Sequence, residues 1–225
     1  NVDNEVYILQ SHRLMSEVVK RLHLTVNYSV REGLRTADLY GRSPIEVDFI
    51  NDNCKQKLSL EVTPLRNGKI ELTDFEDKFV TRQETKRVIL AEYGDTVATP
   101  VGQVVVHKTL FMDSTYLKKP ITVIKNSLAA TTNAYRAAVK SDVANKQASI
   151  VTISMNNSVP RRAEDVINTL IAVYEEDAIA DKRQLSVVTA DFIKERMQVI
   201  GRELGDVDRD IEDIKKSNKM IDITS

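Results

Sequence analysis

Between Ala190 and Ile214 the chain carries an apolar seam, Ala190, Ile193, Met197, Ile200, Leu204, Val207, Ile211 and Ile214, whose steps alternate strictly between three and four residues. That spacing holds a narrow stripe on one face of a helix, the surface that a helix offers to a partner helix. A single compact domain has little use for so long and narrow a stripe. The seam therefore predicts a compact base and a helix that extends from it to finish its burial elsewhere.

A chain of 225 residues suffices for one substantial domain and such an extension. Hydrophobic residues make up 42% and charged residues 29%, a balance that can bury a core. Lys and Arg total 32 against 33 for Asp and Glu, so no net field attracts a polyanion, and nucleic acid is not expected as a partner. Cys54 is the sole cysteine, which rules out an intrachain disulfide and fits either cytosol or periplasm. The longest apolar runs, such as Val104-Val105-Val106, fall far short of the roughly 20 residues that span a bilayer. A start at Asn1, without a basic-then-apolar leader, reads as a fragment or processed domain.

Ahead of the seam the periodicity changes several times. Residues 3–24 follow a helical period, with Ile8, Met15, Val18 and Leu22 on one stripe. Strict alternation follows in Val26, Tyr28 and Val30, in Ile45, Val47 and Phe49, in Leu58, Leu60 and Val62, and in Ile70 and Leu72. Asn67-Gly68 predicts a tight antiparallel hairpin between the last two runs. Residues 33–44 read as a loop, and 74–100 as a weakly patterned insertion with a short helix over 84–93 and a turn at 93–95. Strands are predicted over 103–110 and 121–125, a helix over 127–140, and a central strand over 148–155. Asn157 or Ser158 then caps a helix that starts at Pro160. Its first half, with Val166, Ile167, Leu170, Ile171 and Tyr174, has a face broad enough to cover a sheet, and near Leu185 the pattern narrows to the seam. The expected fold is α+β: a mixed, largely antiparallel sheet covered by helices, with a long C-terminal helix extending from the base. The expected division is a base over 1–183 and the extending helix over 184–225.

Few residues offer chemistry. His12, His23 and His107 fall on separate elements, and neither HExxH nor CxxC occurs, so no metal is expected. GxxxxGK[ST], GxGxxG and GxSxG are missing, which leaves no cradle for phosphates and no nucleophile elbow; neither a cofactor nor a catalytic residue is expected. Lys55 beside Cys54 would lower a thiol pKa, yet no positioned base accompanies it. The carboxylates Glu175, Glu176, Asp177, Asp206, Asp208 and Asp210 read as a wet helix face rather than two acids across a cleft. The basic doublets 118–119, 161–162 and 182–183 read as scattered solvent-facing charge, and with no Trp in the chain no aromatic platform for sugars is evident. In a parallel homodimer the seam would place Glu203 against Asp208, which is repulsive, so an antiparallel partner fits better. Gly201 and Gly205 mark either a close helix approach or two tolerated weak points.

Four segments carry a family likeness. EVYILQSHRLMSEVVKRLHL at 5–24, LYGRSPIEVDF at 39–49, YGDTVATPVG at 93–102 and the block that begins SIVTISMNNSVPRRAEDVINTLIAVYEEDAIADKRQLSVVTADFIKERMQVIG at 149 resemble the periplasmic domain of Wzz-type polysaccharide chain-length determinants, or polysaccharide co-polymerases. The likeness is greatest to the branch that also carries a cytoplasmic tyrosine kinase domain. Its motifs are packing patterns, so no catalytic residue is carried over. The resemblance implies a non-enzymatic domain at the periplasmic face of the bacterial inner membrane, with spans and any kinase outside these residues. The implied function is regulation of the chain length and export of exopolysaccharide, capsule or O-antigen. The implied partners are further copies of the chain and the polymerase or export machinery. The alternative is a glycan-binding or sensing module that contacts the polymer and signals to the kinase. On the assembly reading the residues at work are Ile193, Met197, Ile200, Leu204, Val207, Ile211 and Ile214, as a helix-packing or oligomer seam.

Overall fold

The computed structural model describes residues 2–50, 56–145 and 150–221, with the backbone alone at 2, 145, 205–206, 208–210 and 212–221. Cys54, a candidate nucleophile by residue type, lies outside the described residues.

The expected first helix is two: α1 (Val2–Leu9) and α2 (His12–Arg21). They separate because the Ser11 hydroxyl accepts from the Leu14 N–H, capping a new helix where the old one could have continued. At the far end His23, with φ 51°, stands in the left-handed region, while His23 N–H reaches the Lys20 carbonyl and Leu24 N–H the Val19 carbonyl. Those two bonds make the usual helix-ending turn, normally built on Gly.

Strands β1 (Val26–Glu32) and β2 (Arg35–Asp38) follow as a hairpin about Gly33, so part of the expected 33–44 loop is paired. Then come β3 (Ile45–Ile50), β4 (Leu58–Pro64) and β5 (Lys69–Glu76). The turn between β4 and β5 places Gly68 at φ 80°, and the pair is antiparallel as Asn67-Gly68 predicts. The expected helix over 84–93 is corrected. A single capped turn, α3 (Arg82–Thr85), precedes the strand β6 (Ile89–Glu92), which pairs with β5. β7 (Thr96–Thr99), β8 (Gly102–Lys108) and β9 (Ile121–Lys125) complete the strands before α4 (Leu128–Ala138). β10 (Val139–Asn145) leaves α4 directly, so the helix expected over 127–140 stops at Ala138 and a strand takes its last two residues. It pairs with β11 (Ile150–Met155). The 62-residue α5 (Pro160–Ile221) closes the chain.

The class is α+β, and every described strand pair is antiparallel. The described strands form three sheets rather than one: β2-β1-β9-β4-β5-β6, β3-β8-β7, and β10-β11. Among the described residues β11, expected to be central, pairs with β10 alone. One core lies between the two larger sheets, where alternate residues of β4 and β9 (Leu60, Val62, Ile121, Val123) meet Ile45, Val47, Val104 and Val106. A second core gathers the helices: Leu14, Met15 and Val18 of α2 pack with Val139 and with Val166, Leu170 and Val173 of α5. The helices thus cover the small β10-β11 sheet, while the large sheet is covered chiefly by another sheet. Contacts divide the chain into two units, Asn1–Tyr174 and Glu175–Ser225.

Candidate functional site

The expected seam lies wholly in the second unit. Every residue from 179 to 198 is exposed, and Ile193, Met197, Ile200, Leu204, Val207 and Ile211 are exposed as well. Ile214 lies on the helix backbone, but its side chain falls outside the described residues, as do those of Asp206, Asp208 and Asp210. The helix brings the seam together as a continuous apolar stripe, with a shallow groove where Ala190, Ile193 and Met197 meet. A second row that sequence reading did not single out, Leu185, Val188 and Phe192, is also exposed, on a neighbouring face of the same helix. So much exposed apolar surface on one helix is the mark of an interaction site.

The first unit carries a cleft of about 500 Å³. Its floor follows from strand alternation. On β9, Ile121 and Val123 point into the core, and Lys125, next on that face, is only 5% exposed with its ammonium 4.6 Å from the centre of the Phe49 ring. On β1, Val26 and Tyr28 take the same role from the neighbouring strand. The opposite wall is β3, an edge strand whose outward backbone groups are met by side chains. The Tyr28 hydroxyl accepts from Val47 N–H at 2.9 Å, and Ser43 Oγ donates to the Ile45 carbonyl at 2.6 Å. Burial raises the Tyr28 pKa well above its ordinary value, which keeps the hydroxyl neutral.

One end of the cleft is closed by the start of α5. Arg162 Nη1 and Nη2 donate to Asp38 Oδ2 and Oδ1 at 2.8 and 2.9 Å, a bidentate pair, and its guanidinium lies 4.6 Å from the centre of the Tyr40 ring. Tyr40 Oη donates to Asp165 Oδ2 at 3.0 Å; burial, then that hydrogen bond, lifts its pKa to about 12. This corrects the reading of the 161–162 doublet as solvent-facing charge. Arg161 is exposed, but Arg162 is 8% exposed and paired. At the mouth, Thr109 pins the next loop to the β2–β3 connection through its hydroxyl and the Ser43 carbonyl, 2.6 Å apart. Phe111 stands beside it, 52% exposed.

The remaining candidates stay apart. His12 is exposed on α2, His23 caps that helix, and His107 lies 3.2 Å from Asp48 across β8 and β3. Among the described residues no three of His, Cys, Asp and Glu gather as a metal set, and no helix is long and apolar enough to cross a membrane. Sequence reading missed the cleft because its parts come from five separated segments, and only the individual strand alternations announced its floor. Compared with known families and curated proteins, the sequence matches none of them.

Proposed function

We propose that this chain is a non-catalytic assembly domain of a polysaccharide chain-length determinant of the Wzz type, in a membrane protein whose copies associate on the periplasmic side and set glycan length with the polymerase or export machinery. The observation that carries the reading is the exposed apolar seam of α5, from Ile193 to Ile211, which none of the described residues buries. Burying it takes another helix, and the second row through Phe192 leaves room for a further neighbour. The family resemblance of the 149–222 block supplies the biological setting.

The test uses the full-length membrane-tethered protein with Ile193→Asp and Ile200→Asp together. Charges on the seam are expected to abolish cross-linked oligomers and to broaden or shorten the polymer length distribution. Oligomers and a length distribution identical to the parent's would refute the assembly role.

A further inference from the structure

Away from the seam and the cleft, a sheet edge stands open. Among the described residues β11 pairs with β10 alone, which leaves alternate backbone N–H and C=O groups on its other side outside any ladder. Edge strands are usually blunted by charge, proline or brevity. Here β2 carries Arg35 and Asp38, β3 Glu46 and Asp48, β6 Glu92, and β10 Lys140 and Asp142, while β7 has only four residues. β11, Ile150–Met155, runs for six residues without a charge or a proline, and its Ile, Val and Thr are strong strand formers.

Burial shows which side of this ribbon is unfinished. Val139, Ser141 and Val143 of β10 stand opposite Met155, Ile153 and Val151 of β11 on one face. Val139 and Ser141 are 5% and 4% exposed, whereas Met155, Ile153 and Val151 are only half-buried at the margin of the second core. Thr152 and Ser154, on the other face, are exposed. A strand laid beside β11 closes that margin if its apolar residues alternate in the same phase. A second β11 meets the condition by symmetry. Of the antiparallel registers that match face to face, the one centred on Ile153 sets Ile153 opposite its own copy, Val151 opposite Met155, and Thr152 opposite Ser154. Apolar row then joins apolar row, hydroxyl meets hydroxyl, and no charge falls within the pairing. We infer that β11 is a docking edge for a second copy of this chain, the two β10-β11 ribbons joining antiparallel into one continuous sheet. Added strands stabilise a two-stranded ribbon. The pairing does not involve the seam, and it rests on the proposed function only for the tethering that raises the effective concentration of a weak contact.

The test is sedimentation equilibrium of the 225-residue chain with Ile193→Asp and Ile200→Asp, so that the seam is disabled and its failure or success as an assembly surface does not enter the result. A monomer–dimer equilibrium is expected. The β11 amides that do not bond to β10 are expected to gain protection from hydrogen exchange as protein concentration rises. Thr152→Lys with Ser154→Lys sets lysine opposite lysine twice across the two-fold axis and is expected to weaken the dimer about tenfold. Thr152→Lys with Ser154→Glu sets opposite charges there and is expected to recover the association. Both pairs alter exposed side chains alone, and the comparison between them cancels any common effect on the fold. A monomer at every concentration, equal association by the two double variants, or outward β11 amides already protected in the monomer, as when another segment of the chain holds the edge, overturns the assignment.

Discussion

Arg162 does at residue level what its neighbour Arg161 does not. Its guanidinium is spent on Asp38 and the Tyr40 ring, tying the start of α5 to the β2–β3 connection. Removing Asp38 would strand a cation whose side chain is 9% exposed. Breaking a buried pair from one side costs about 3–5 kcal/mol, but Asp38 is itself 32% exposed, so Asp38→Ala is expected to cost less, about 2–3 kcal/mol. Arg162→Met removes the charge and keeps an apolar stem, and is expected to cost less still. Urea denaturation of both variants at neutral pH checks the order; the reverse order would mean that Arg162 stabilises chiefly by packing.

Gly201 poses the open question at the scale of elements. A Cβ built there meets nothing within 4 Å in the single chain, while the surroundings of Gly205 lie outside the described residues. Gly in a helix interior costs about 1 kcal/mol against Ala, so Gly201→Ala is expected to slow exchange of the neighbouring α5 amides about fivefold in the isolated chain. If the same substitution weakens cross-linked oligomers of the tethered protein, Gly201 is a point of close helix approach. If it does not, it is a tolerated weak point. Elements with unambiguous periods were legible in sequence: β1, β3, β4, β5, β9 and most of α5 stand where alternation or the helical period puts them. The misses have local causes. Val-Ile-Leu-Ala-Glu-Tyr suits a helix as well as a strand, and pairing with β5 decides for β6. β10 begins at the C-cap of α4, with no Gly or Pro to announce the change. The helical period of 3–24 runs through Ser11 without a break, which hides the cap that divides α1 from α2. The seam could be read because its residues follow one another along one helix, whereas the cleft needs β1, β3, β9, the 109–111 loop and the start of α5 in place together.

At the scale of the whole molecule, both cores belong to the unit that ends at Tyr174, and the helix beyond it contributes exposed residues from 179 to 198. A helix without packing partners has only propensity to hold it, which is marginal in water. The two parts are therefore expected to differ in stability within one molecule. Amides of β4 and β9 should exchange last, and those of 185–204 orders of magnitude sooner. A chain ending at 183 removes no residue of either core, so its thermal midpoint is expected within about 3 °C of the parent's, the equivalent of about 1 kcal/mol at this size. A fall much larger than that, or slow exchange through 185–204 in the isolated chain, would show that the seam already helps to stabilise a single copy, and the case for an outside partner would go with it.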